Sequence, residues 1–94
     1  MSRVERIFKY PLKIVDRQVV NIPSPAIILS VIEQYSRPVL YARTFEDAKD
    51  HVFYEILIFG TGNPITWELR DYTFLGTVNT EIGKLIWHIF YRPI

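Results

Sequence analysis

The sequence predicts an all-β domain: a small antiparallel sandwich or barrel of about seven short strands, with at most one or two short helical turns. Three observations lead there. Short runs rich in Val, Ile, Tyr and Phe recur along the chain, and these residues suit a pleated surface. Turn-forming residues punctuate the runs densely and evenly, from Pro11 and Asp16 to Gly83 and Pro93. The gaps between runs are too short for helical crossovers, so neighbouring strands are expected to pair antiparallel.

Taken in order, the first strand is expected near Val4–Tyr10, stopped by Pro11. The second, Gln18–Ile22, lies between Asp16 and Pro23, and the third, Ala26–Tyr35, between Pro25 and Arg37-Pro38. Val39–Phe45 follows, then the acidic stretch Glu46 to Asp50. His51–Phe59 is the most apolar run and ends at Gly60. Tyr72–Val78 and Lys84–Tyr91 complete the set, separated by Gly83. One helical turn would fit Thr44 to Asp50, with Thr44 or Asp47 as cap. A second would fit Asn63 to Asp71 around Trp67.

Alternation of side chains adds a constraint. In Lys84–Tyr91, Leu85, Trp87, Ile89 and Tyr91 share one face, while Ile86, His88 and Phe90 share the other with Lys84. In His51–Phe59, Val52, Tyr54, Ile56 and Ile58 oppose Phe53, Glu55, Leu57 and Phe59. A half-buried strand wets one face. These two are therefore either central and covered on both sides, or they meet a second subunit. A chain of 94 residues has little material to cover both faces of a sheet, so a homo-oligomer is expected.

Composition narrows the function classes. The length suits a single domain over residues 1–94. Apolar residues are 49% of the chain and charged residues 22%, which supports a packed core rather than disorder. A net charge of +1 gives no electrostatic grip on long nucleic acid. Arg3, Arg6 and Lys9 alternate with apolar residues and read as the wet face of a strand. There is no cysteine, hence no disulfide, thiolate zinc site or thiol nucleophile. The N-terminus carries charges where a signal peptide needs an apolar run, and no stretch approaches a membrane span of about 18 apolar residues. A cytoplasmic protein without membrane contact is expected.

Catalytic signatures are weak. His51 and His88 have no metal-binding spacing, and no serine sits in Gly-x-Ser-x-Gly. Glu46, Asp47 and Asp50 cluster in what reads as a solvated loop. No metal or cofactor is expected, and an enzyme using His88 or His51 as acid–base is the least favoured reading.

The segment Phe59-Gly-Thr-Gly-Asn-Pro-Ile65 is the most informative. It cannot continue the preceding strand, and it either only reverses the chain or offers unpaired backbone N–H groups to an anion or flat ligand. For a small nucleotide-like ligand, Gly60, Thr61 and Gly62 would contact phosphate or ribose. Arg43 or Arg70 would supply charge, and Trp67 or Trp87 a platform for the base.

Several segments carry a resemblance: Lys9-Tyr-Pro-Leu12, Ile28-Leu-Ser-Val31, the Phe59–Ile65 turn, Phe74-Leu-Gly-Thr-Val78 and Leu85-Ile-Trp-His-Ile-Phe90. In this order they are similar to a family of small uncharacterised proteins of phages and bacterial prophages. The resemblance implies a small β domain in a phage setting, acting in the host cytoplasm, and assigns no role to any residue. Two functions are then expected to compete. One is a non-enzymatic accessory protein that binds and sequesters a nucleotide-like signal of host antiviral defence. The other is a protein–protein interaction module that inhibits a host protein or serves in virion assembly, using exposed members of the set Ile86, His88 and Phe90.

Overall fold

All seven expected strands are present in the computed structural model, which describes residues 4–94. They are β1 (Glu5–Pro11), β2 (Arg17–Ser24), β3 (Ala26–Gln34), β4 (Arg37–Phe45), β5 (Asp50–Gly60), β6 (Thr73–Thr80) and β7 (Leu85–Pro93). Every pairing is antiparallel. One sheet has the order β1-β4-β3, the other β2-β5-β7-β6. Of the two expected architectures this is the sandwich. The expected helical turns are not helices: Phe45 to Ala48 is a tight turn in which the Ala48 N–H donates to the Phe45 carbonyl at 3.2 Å. Residues 61–72 are turns and irregular chain.

The core follows the two-residue period. Paired residues on neighbouring strands point to the same side, so Leu40, Ala42 and Thr44 of β4 face inward with Ile28 and Val31 of β3. From the other sheet Ile22, Tyr54, Ile56, Ile58, Val78 and Ile89 meet them, all buried. Thr44 sits in this core without an unpaired hydroxyl. It donates to the Pro23 carbonyl at 2.7 Å and lies 3.1 Å from that of Pro25, tying down the corner where β2 leaves one sheet and β3 enters the other.

The sandwich shuts along one side where β3 packs against β6. Both strands are sheet edges, and both carry a register shift, between Ile28 and Ser30 and between Phe74 and Gly76. Such bulges bend and twist an edge strand, which lets the two edges converge.

The second apolar face of β5 has a cover within the chain. Residues 61–72 leave the end of β5 and run back along the outer side of that sheet to the start of β6, and Leu57 and Phe59 are buried there. Trp67 of this segment meets the Phe59 ring edge-on at 6.2 Å, and Phe90 meets it from β7 at 6.0 Å. The apolar outer face of β5 therefore needs no second subunit to hide Leu57 and Phe59. Of the two alternatives for that strand, cover within the chain is the one seen for these two residues.

The β3–β4 hairpin turns on Tyr35 and Ser36, with φ of 55° and 61°. Two positive φ values in a two-residue hairpin define a type I′ turn, which favours Asn-Gly. Neither residue here is a natural occupant, and Tyr35 is almost fully exposed. The double variant Tyr35→Asn/Ser36→Gly is expected to stabilise the domain by about 1 kcal/mol. Thermal unfolding would show this as a Tm higher by about 4–8 °C, and an unchanged or lower Tm would contradict it.

Candidate ligand-binding cleft

Antiparallel pairing gathers one set of strand ends at a single pole: the end of β1, the start of β2, the β3–β4 turn, the end of β5 and the β6–β7 turn. At this pole a surface cleft of about 440 Å³ lies between the β1–β2 connection and the chain that leaves β5. Ile14, Val15 and Asp16 form one wall, and Asn63, Pro64, Thr66 and Trp67 form the other. The strand end Ile58 to Gly60 and the side chain of Trp87 make the floor.

Each wall is fixed by specific bonds. Gln18 closes the β1–β2 connection with its amide, accepting from the Lys13 N–H at 3.1 Å and donating to the Lys13 carbonyl at 2.7 Å. The Ile58 N–H donates to the Asp16 carbonyl at 3.2 Å, which ties that wall to the floor. In the opposite wall Gly60 to Asn63 form a type II turn, with Gly62 at φ 88° and the Asn63 N–H donating to the Gly60 carbonyl at 3.1 Å. The Thr61 N–H donates to the Ile86 carbonyl at 3.1 Å. These two N–H groups are spent within the protein, so the expected set of unpaired turn amides is corrected. The turn shapes the cleft rather than offering those donors.

Gly60 has a steric reason to be glycine. A Cβ there would stand 2.8 Å from Asn63 Nδ2 and 3.1 Å from Cζ3 of Trp87. The bare Cα lets the indole lie against the turn. Trp87 is held in that position by its Nε1–H, which donates to the buried Thr80 hydroxyl at 2.9 Å.

Thr61 is fixed once more from the side. His88 shares a hydrogen bond with the Thr61 hydroxyl through Nε2 at 2.7 Å, and with Thr77 through Nδ1 at 3.0 Å. Both ring nitrogens are thus occupied, and His88 pins the turn to β6 and β7. Neither histidine belongs to a metal-ligating group among the described residues.

The far end of residues 61–72 is anchored by a carboxylate. Glu55 is buried on the outer face of β5, where Arg92 of β7 stands opposite it in register and Arg17 of β2, paired with Leu57, lies on the diagonal. Arg92 Nε donates to Oε1 at 2.7 Å, Arg17 Nε donates to Oε2, and the Tyr72 hydroxyl donates to Oε1. Arg92 also stacks its guanidinium over the Tyr72 ring, 4.6 Å from the centroid. Burial alone would raise the Glu55 pKa, but the hydrogen bonds from Tyr72, Arg17 and Arg92 outweigh it and bring it down to about 2. Tyr72 is raised, by burial first and then by its bond to Glu55. The segment that walls the cleft is thus held at its start by His88, in its middle by Phe59 and at its end by Glu55.

The chain has two tryptophans, and both line this cleft together with Gly60. Thr61 lines an adjoining groove on the other side of the same turn, while Gly62 lines neither. Arg43 lies on the other sheet, towards the opposite pole, paired with Glu5. Arg70 is exposed and stands 3.9 Å from Glu68. The expected charge partners are therefore not in the cleft, whose charged residue is Asp16. Sequence reasoning passed over Asp16, Asn63 and the Glu55 cluster. A lone carboxylate inside an apolar central strand was the available signal, because a buried charge requires partners. Of the residues read as the wet face of the first strand, Arg3 lies outside the described residues and Arg6 pairs with Glu46 at 2.5 Å.

Residues 3–94 match a family described as a domain of unknown function, DUF7352. The chain belongs to the DUF7352 family. No curated protein and no solved structure matches it. Among the described residues of this family member, no helix is long and apolar enough to cross a membrane.

Proposed function

We propose that this DUF7352 domain is a non-enzymatic binding protein whose polar-end cleft captures a small nucleotide-like ligand. The observation that carries the reading is the convergence of Trp67, Trp87, Gly60, Asn63 and Asp16 on one cleft of about 440 Å³. Such a volume lies in the range of small-molecule sites, about 300–1,000 Å³. Two indoles give flat apolar contact for a ring, while an amide and a carboxylate give it directional partners. Both walls are held by internal bonds, so little ordering entropy opposes binding. The resemblance to phage proteins supplies the physiological version: the ligand is a signal of host antiviral defence, and capture in the host cytoplasm without turnover removes it.

Intrinsic fluorescence offers a direct test, because no tryptophan lies elsewhere. Titration with a panel of nucleosides and nucleotides is expected to change the emission of the native protein saturably. Trp67→Phe is expected to weaken binding by about 1–2 kcal/mol while leaving the fold intact. A panel without any saturable change would end this reading.

A second reading is favoured by a different observation. The outer face of the three-stranded sheet exposes Ile7, Ile27, Leu29 and Ile32, next to the Glu5–Arg43 pair. Contiguous exposed apolar residues mark interaction surfaces. Here the domain would work by contact, with a host protein, a virion component or a second copy of itself. Ile27→Lys is expected to abolish such contact without unfolding, seen as loss of a co-purifying partner or of an oligomer in native mass spectrometry.

A further inference from the structure

The turn Gly60 to Asn63 separates two cavities. On its far side from the main cleft, a second groove of about 270 Å³ is lined by Thr61, Lys84 and Leu85 together with Gly60, Asn63 and Trp87. Gly60, Asn63 and Trp87 line both spaces, so the two adjoin across a ridge of one turn. Their charges are opposite. Asp16 is the charged residue that lines the cleft, and Lys84 is the charged residue that lines the groove, together with Thr61.

Resting on the reading of the cleft given above, we infer that the two cavities form one bipartite site for a nucleoside monophosphate. Its ring and sugar lie in the cleft and its phosphate in the groove at Lys84. The division follows from electrostatics. A phosphate beside Asp16 meets like charge, whereas a carboxylate accepts hydrogen bonds from sugar hydroxyls or an exocyclic amine. In the groove, Lys84 makes no salt bridge with a described residue. Its position is set by the β6–β7 turn, which runs through Glu81, Ile82 and Gly83 at positive φ and is closed by the Lys84 N–H donating to the Glu81 carbonyl at 3.2 Å. The Thr61 hydroxyl is held by His88 and stays on the groove wall as a second polar contact. A single lysine matches a single phosphate. No second cation lines either cavity, so additional phosphates gain no further charge partner and a triphosphate has no advantage.

The test compares adenosine, AMP and ATP, and the guanine series, by tryptophan fluorescence on the wild-type protein and on Lys84→Ala and Asp16→Asn. The monophosphate of at least one series is expected to bind about fivefold more tightly than its nucleoside, and the triphosphate no more tightly than the monophosphate. Lys84→Ala should erase the monophosphate advantage and leave nucleoside affinity unchanged, while Asp16→Asn should weaken nucleoside and monophosphate alike. Equal binding of nucleoside and monophosphate, or an advantage that survives in Lys84→Ala, overturns the bipartite site while the cleft reading stands. Failure of every nucleoside and nucleotide to bind overturns both.

Discussion

Glu55→Ala is expected to lower the stability of the domain by about 2–3 kcal/mol and its Tm by about 10–20 °C. Removing one partner from a buried ionic cluster leaves the others without their counter-charge, which commonly costs about 3–5 kcal/mol. Here the lower figure applies. The side chains of Arg17 and Arg92 are 45% and 37% exposed, so both can turn to water once the carboxylate is gone. The Tyr72 hydroxyl loses its acceptor as well, and with it the anchor of residues 61–72.

The same cluster makes stability depend on acid. Glu55 has its pKa depressed from 4.5 to about 2 in the folded state. A depressed carboxylate contributes stability that is complete above its unfolded pKa and is lost as pH falls through the folded one. Urea unfolding at fixed pH values from 6 down to about 2 should therefore show wild-type stability declining mainly below pH 4.5, with a shallower decline in Glu55→Ala. Parallel pH profiles for the two proteins would show that this carboxylate is not the linked group. A second readout separates the cluster from general packing. Tyr72→Phe keeps the ring under Arg92 but loses the bond, so it should reproduce a fraction of the destabilisation and increase the exposure of Trp67.

Much of the architecture was legible because turn-forming residues lie at or near many of the strand ends. Pro11, Pro23 and Gly60 fall within or at the ends of β1, β2 and β5. The strand ends were less legible, since β2 runs to Ser24 and β7 to Pro93, beyond the apolar residues that signalled them. Edge and terminal positions tolerate proline and polar residues while the backbone still pairs. The site divides in the same way. Gly60, Trp67 and Trp87 could be named from the sequence, since a turn after an apolar strand and two large aromatics stand out alone. Asp16 could not, because its place opposite Asn63 depends on β2 pairing with β5, a contact between residues forty apart in the chain. Arg43 was named for its charge, yet register places it on the other sheet opposite Ile7 and Ile27, where it forms an ion pair with Glu5. The two-faced apolar pattern of β5 is compatible with a strand covered on both sides or with a second subunit, and residues 61–72 supply cover for Leu57 and Phe59 within the chain.

The closure of the sandwich rests on a position where a side chain would be crowded. At Gly76 a Cβ would lie 3.0 Å from Cγ1 of Val31 and 4.0 Å from the Val31 carbonyl oxygen. Val31 is β-branched, buried and fixed by its pairing with Leu40, so it has little freedom to withdraw. Gly76→Val adds three carbons at this contact. Overpacking of this kind costs about 1–3 kcal/mol, and the better strand propensity of valine returns at most about 1 kcal/mol of it. A net loss of about 1–2 kcal/mol is expected, or a Tm lower by about 5–15 °C. Propensity and packing thus predict opposite signs, and the sign decides whether β3 and β6 touch as closely as described. The double variant Gly76→Val/Val31→Ala identifies the cause. Each single change destabilises, but together they relieve the clash, so their combined effect should fall short of the sum by at least about 0.5 kcal/mol. Additive effects would place the strain elsewhere. The consequence reaches the cleft through β6, which carries Thr80, the acceptor that holds the Trp87 indole in place. Forcing β6 away from β3 should therefore shift the tryptophan emission of Gly76→Val even where the protein remains folded.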